Sequence, residues 1–158
     1  MDITNRDDVR TMVKSALAEL NDGNVVMDSN NAVELLMGTW AVESNGGHFL
    51  KQEDRGPARS AWQIEHPTFN DIINRVHKHF KDVLSNTIDK EINESDFPKI
   101  ELNHKLAAQI CRLKYELCPG EIPDNTIGRA NYWKKYYNTP LGAGTVDKYI
   151  AKYNTYAL

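Results

Sequence analysis

Three features predict a mainly α-helical fold with a small loop or β region at about residues 45–64. Apolar residues recur at helical spacing along most of the chain; the segment NAVELLMGTWAVES is apolar on nearly every side; and glycine and proline gather in the stretch after it. A chain of 158 residues and 18.0 kDa suits one domain and can bury roughly 70% of the surface its unfolded form exposes. With 41% apolar and 26% charged residues and a mean hydropathy of −0.58, the composition is that of a soluble globular protein.

The elements follow in order. Val9, Met12, Val13, Ala16, Leu17 and Leu20 lie on one helical face, with Thr4 three residues before Asp7 as the expected cap and Asn21-Asp22-Gly23 as the stop. Residues 1–30 therefore read as an N-terminal helical extension. A helix from about Asn31 to Ser44 that is apolar all round belongs in the middle of a core, and Gly46-Gly47 offers the left-handed cap to end it. Residues 45–64 are irregular, and the short piece Ala61-Trp62-Gln63-Ile64 is either a strand or a turn. A third helix is expected from Pro67 to about Leu84, carrying Phe69, Ile72, Ile73, Val76, Phe80 and Val83 on one stripe. The polar, weakly periodic segment 85–101 reads as a long mobile connection with room for one short helical turn. Leu102, Leu106, Ile110, Leu113 and Leu117 mark a fourth helix, stopped by Pro119-Gly120. Ala130, Trp133 and Tyr137 mark a fifth, and Val146, Tyr149, Ile150 and Tyr153 a last short one after Gly142-Ala143-Gly144.

Charge and motif arithmetic narrows the partners. The net charge of −3 and a sequence pI near 5.9 leave no global positive field, so nucleic acid is not an expected partner. The longest apolar stretch, Ala32 to Val42, has Glu34 and Glu43 near its ends and is about half the ~20 residues a bilayer helix needs, so no membrane insertion is expected. Acidic residues in MDITNRDDVR stand where a secretory signal has a basic end and an apolar middle, so export by that route is not expected. Cys111 and Cys118 are seven apart, ~10.5 Å along a helix, beyond the ~7 Å reach of a disulfide, and read as free packing thiols. His77 and His79 are two apart and point opposite ways on a helix, no HExxH or CxxC occurs, and a lone GxG is no dinucleotide site, so no metal or cofactor is expected. Lys134-Lys135 reads as a solvated face.

Three clusters could carry chemistry. Glu43 stands at the end of an apolar helix, where burial and the negative end of the helix dipole both disfavour the carboxylate and raise its pKa, the condition a general acid needs. A surface glutamate at a fraying helix end is the plain alternative. Gly56 through Glu65 joins a tight turn to Trp62, Gln63 and Glu65, and aromatic faces and planar amides suit sugars; core packing and capping are the competing roles. In Tyr136-Tyr137-Asn138-Thr139-Pro140-Leu141-Gly142-Ala143-Gly144, an aromatic and an amide at a helix end precede a glycine turn, and packing alone would also explain the tyrosines.

Taken together, these clusters resemble the lysozyme-like superfamily, specifically its lytic transglycosylase and goose-type lysozyme branch in a tailed-phage version. That family ends a buried helix with Glu-Ser, as in Glu43-Ser44, follows with a turn of the form G-A-x-G-L-x-Q-I, as in Gly56 through Ile64, and carries a later Y-N-x-G-x-G element, similar to Tyr137-Asn138-Thr139 and the glycines beyond. The likeness covers roughly residues 31–145. Ser60 departs from the family's usual glycine, and Thr139-Pro140-Leu141 lengthens the step to Gly142.

The resemblance implies an α+β lysozyme-like domain that cleaves peptidoglycan between N-acetylmuramic acid and N-acetylglucosamine. Glu43 would be the general acid and base, and Ser44, Ser60, Trp62, Gln63, Tyr137 and Asn138 would bind substrate. A hydrolytic route would want a second carboxylate, for which Asp54 and Glu65 are the candidates. The implied partners are glycan strands and phage virion proteins, and the implied setting is a virion or the host cytoplasm until lysis. A virion structural protein that keeps the fold without catalysis, and a chitin or chitosan hydrolase, are the alternatives.

Overall fold

In a computed structural model of the chain, which describes residues 1–51 and 56–158, the apolar segment occupies the centre as expected. Helix α2 (Asn30–Ser44) starts at Ser29, whose hydroxyl accepts the Ala32 N–H at 3.2 Å. It buries Ala32, Val33, Leu35, Leu36, Met37, Trp40 and Ala41. A helix apolar on all faces is stable in water only when other elements surround it. Here α1 (Arg6–Ala18), α5 (His104–Glu116), α6 (Thr126–Trp133) and α7 (Val146–Lys152) pack against it, giving a mainly helical domain around one hydrophobic core.

Helix α1 is part of that core and no mere extension, since Val9, Val13, Ala16 and Leu17 are buried between α5 and α2. Its cap is Asn5, not Thr4: the Asn5 side chain accepts the Asp7 and Asp8 N–H groups, while the Thr4 hydroxyl turns back to Asp2. At the other end α1 stops at Ala18, and Asp22 bridges to Val25 around Gly23 (φ 52°), an isolated bridge outside the 45–64 region where any extended pairing is expected. The left-handed cap of α2 is likewise Asn45 (φ 51°), with Gly46 and Gly47 continuing the positive-φ turn; asparagine tolerates this region better than other side-chain-bearing residues.

The expected third helix is two helices. Helix α3 (His66–Arg75) ends where Val76 adopts an extended backbone (ψ 152°), and α4 (Lys78–Thr87) begins afresh after His77. Both pack on α5, and the break re-aims the stripe so that Phe69, Ile72 and Ile73 are buried from one helix and Phe80 and Leu84 from the other. Residues 85–101 also differ from the expected loose connection. They carry a 3-10 helix (Glu94–Glu101) opened by a capping box between Asn93 and Asp96, and Ile92, Phe97 and Ile100 are in the core. Asp96 is buried, accepts the Asn93 N–H at 2.9 Å and pairs with Lys90 at 2.6 Å; these contacts, supplied by the fold, order a polar segment whose periodicity is weak. Leu102 lies outside α5 and is 74% exposed, so the helix starts two residues beyond it.

Helices α6 and α7 each run on into a wider π turn, Lys134–Asn138 and Tyr153–Ala157. Residues 56–64 hold a turn rather than a strand. Arg59 and Ile64 exchange backbone hydrogen bonds at 2.9 and 2.8 Å around Ser60 (φ 72°) and Gln63 (φ 49°), and Arg59 also bridges to Lys51. Cys111 and Cys118 are free thiols, and among the described residues no helix is long and apolar enough to cross a membrane.

The closest approach in this core is at Gly38, where a Cβ would stand 1.9 Å from the Tyr149 hydroxyl of α7. Alanine gains about 1 kcal/mol over glycine in an unhindered helix interior. We expect Gly38→Ala nevertheless to destabilise the protein by about 1–3 kcal/mol, the usual overpacking cost, as read from denaturant or thermal unfolding. An unchanged midpoint would show that Tyr149 gives way freely.

Candidate active site

The central helix delivers Glu43 from the core to the floor of a cleft of about 820 Å³, whose lining includes Gln63, Glu65, Lys114, Trp133, Asn138, the glycine turn 142–144 and Lys148. Glu43 Oε1 accepts a hydrogen bond from Trp133 Nε1 at 2.9 Å, which ties the end of α2 to the end of α6. Burial pushes the Glu43 carboxyl up to about 7, while the Trp133 N–H and the positive charges of Lys114 and Lys148 act in the opposite sense. The result is a carboxyl group half protonated near neutral pH and held in one orientation.

The glycine turn closes against Trp133 and Asn138. A Cβ on Gly144 would stand 2.5 Å from the Trp133 ring, and one on Gly142 would stand 2.4 Å from the Asn138 carbonyl oxygen, so both positions need glycine for the loop to lie this near. Lys134 holds the turn shut, donating from Nζ to Asn138 Oδ1 and to the Gly142 carbonyl at 2.8 Å each. This lysine is thus an internal tether, not the solvated charge its neighbour Lys135 resembles.

Of the other residues expected in the site, Gln63, Glu65, Tyr137 and Asn138 line the cleft. Gln63 Nε2 is engaged by the carbonyls of Ser60 (2.8 Å) and Phe49 (3.3 Å), which fixes the amide plane. Glu65 is exposed at the start of α3. Tyr137 is a wall, not a hydroxyl for substrate, because its OH donates to the Trp62 carbonyl at 2.5 Å and its ring stacks on Tyr115 at 5.2 Å.

Trp62, Ser44 and Ser60 are not in the cleft. Trp62 is fully buried, donating from Nε1 to the Leu36 carbonyl at 3.0 Å, so it anchors the turn to α2 instead of presenting a face to a sugar. Ser44 Oγ donates to the Trp40 carbonyl and accepts the Gly47 N–H, each at 2.9 Å, and so shapes the turn after Glu43. Ser60 Oγ accepts the Trp62 N–H at 3.2 Å inside the left-handed turn. Asp54 lies outside the described residues.

Trp133, Lys114 and Lys148 escaped the sequence reading, and nothing in the sequence marks Lys148, an exposed lysine on α7. Trp133 looked like core, and nothing in its spacing marks it as the donor to a carboxyl ninety residues away. Lys114 carried a usable signal: it is four residues after Ile110 and three before Leu117, a cation on the apolar stripe of α5. Its Nζ sits 3.7 Å from the centre of the Tyr137 ring, and burial lowers its pKa.

Chemically, one carboxyl that is neutral up to about pH 7, beside planar amide and aromatic surfaces, can donate a proton to a bound ether oxygen and take one back. Compared with protein-family models, with curated proteins and with solved structures, the chain matches none.

Two measurements check this account. Trp133→Phe removes the donor that favours the carboxylate, so carboxyl NMR should show the Glu43 pKa rising above its value of about 7; a fall or no change would remove Trp133 from the site's electrostatics. Because Glu43 binds its proton more tightly folded than unfolded, it subtracts stability as pH rises from about 4.5 to about 7. Glu43→Gln should therefore unfold less readily than the parent at pH 8, by up to about 3 kcal/mol, with the difference closing towards pH 4.

Proposed function

We propose that this chain cleaves peptidoglycan strands at the β-1,4 bond between N-acetylmuramic acid and N-acetylglucosamine, with Glu43 as the single general acid and base. In this reading the helical domain is lysozyme-like, with the turn at 56–64 standing where an α+β member carries its small extended region, and the protein is a phage lytic transglycosylase, either an endolysin or a virion component. The observation that carries it is the Glu43 carboxyl, raised to about 7 by burial at the floor of an open cleft and oriented by Trp133. The order of Glu43, the Gly56–Ile64 turn and Tyr137-Asn138 along the chain, all converging on this cleft or its walls, supports the same reading.

The reaction follows from one carboxyl. Protonated Glu43 gives its proton to the glycosidic oxygen, the bond from that oxygen to the muramic anomeric carbon breaks, and the N-acetylglucosamine hydroxyl leaves. The carboxylate that remains stands beside a positively charged, oxocarbenium-like sugar. It then takes the proton of the muramic 6-hydroxyl as that oxygen closes on the anomeric carbon, which restores the acid and leaves a 1,6-anhydro end without adding water. Lys114, Lys148 and the Trp133 N–H steady the carboxylate between the two steps. A hydrolytic variant is favoured by one observation, that Glu65 lines the same cleft and supplies a second carboxylate to orient water.

Mass analysis of fragments released from purified sacculi tests both. We expect anhydro-muramic ends, lost by a factor of about 10² to 10⁴ in Glu43→Gln, and activity that declines as pH rises past about 7, where Glu43 gives up its proton. Reducing ends that depend on Glu65 would establish the hydrolase. Chitin cleavage without sacculus cleavage would move the substrate to chitin or chitosan. No release from either, with the protein bound to phage particle proteins, would leave a structural role.

A further inference from the structure

The cleft holds more positive charge than a neutral glycan needs. Among its described lining residues, Lys51, Lys114 and Lys148 face Glu43 and Glu65, and Glu43 is uncharged for much of the range below pH 7. Lys51 is paired with Glu101 at 3.5 Å, but neither Lys114 nor Lys148 has a carboxylate within 4 Å among the described residues.

Lys114 is not a loose surface lysine. Its stem rises from the apolar stripe of α5, and its ammonium rests 3.7 Å from the Tyr137 ring centre and 3.4 Å from the Tyr137 carbonyl oxygen. Tyr137 is itself immobilised by Trp62 and Tyr115. Desolvating an ammonium is costly, and a ring face with one long carbonyl contact offsets only part of that cost. A positioned, under-compensated cation at the wall of an open cleft is suited to an anionic group that arrives with the ligand. Lys148, exposed on α7 at the same cleft, supplies a second charge with a flexible reach.

We propose that Lys114, aided by Lys148, binds a carboxylate carried by the glycan and so selects strands bearing acidic substituents over neutral polymers such as chitin. This rests on the glycan-cleaving reading of the same cleft and adds its charge specificity. In peptidoglycan the carboxylate is either the lactyl group of a muramic residue freed of its peptide or an acid of the peptide stem. Both present the same chemistry to an ammonium.

The test is binding to the full chain carrying Glu43→Gln, which removes turnover. Three tetrasaccharides of one length serve as probes: stem-free with lactyl carboxylates, the same with those groups converted to carboxamides, and stem-bearing. Calorimetry or NMR titration should show the carboxylate form bound about tenfold more tightly than its carboxamide, the worth of one charge-assisted contact. Adding Lys114→Met should bring that ratio close to one, and Lys148→Gln should lower it by a smaller factor. Because both ligands would suffer alike from a damaged fold, the ratio separates recognition from folding, and the exposed Lys148 gives a reading even where Lys114→Met does not fold.

Lysine-dependent binding of the stem-free or of the stem-bearing form names the source of the carboxylate. A ratio of one in the Glu43→Gln parent, a ratio unmoved by either lysine substitution, or no binding of any probe overturns the proposal. Failure of the cleavage reading is distinct: the unaltered chain would then release nothing from sacculi while the lysine-dependent ratio persisted.

Discussion

A helix that is apolar on every face sets the terms for this molecule. Exposed on any side, α2 would present leucine, methionine, tryptophan and valine to water, so four other helices are recruited to enclose it. That enclosure is what makes Glu43 unusual. The chain leaves the core through the last turn of α2, and the carboxyl at that exit is drawn against packed side chains before it reaches solvent. Desolvation, more than any neighbouring charge, decides its proton affinity.

Around this point, small and committed residues do the positioning. Ser44 closes the turn after Glu43; Trp62 ties the following loop back to α2 through the Leu36 carbonyl; Tyr137 joins that loop to the wall made by α5 and α6. The glycine turn then lies directly on Trp133 and Asn138 because Gly142 and Gly144 have no side chains to hold it away. The residues singled out in the sequence thus divide into two kinds. Glu43, Gln63, Glu65 and Asn138 face the cleft, whereas Ser44, Ser60 and Trp62 build the frame that makes the cleft possible. Order along the chain does not separate the two, because frame and lining alternate within the same short segments.

Most helices were readable from spacing, since burying one stripe leaves a 3.6-residue signature that does not depend on the partner. The stripe from Phe69 to Val83 keeps helical phase across Val76, so the break there is invisible to periodicity; it is set by how α3 and α4 divide the surface of α5. The 85–101 segment is polar and weakly periodic, yet a buried aspartate bonded to Lys90 and to the Asn93 N–H orders it, and such a contact has no sequence period. Thr4 and Asn5 are both capping residue types one position apart, and Asn5 takes the role while the Thr4 hydroxyl is engaged by Asp2.

By itself the sequence determined the helical class, the central place of residues 31–44, the free cysteines and the prominence of Glu43, because each is a property of composition or of local phase. Tertiary structure alone decided that Trp133 donates to that glutamate, that the Lys114 ammonium rests on the Tyr137 ring and carbonyl, and that Trp62 is core and not a sugar platform. These depend on residues far apart in the chain meeting at one place. Periodicity states that a face is buried; only packing states against what, and the charge, orientation and proton affinity of a site follow from the second.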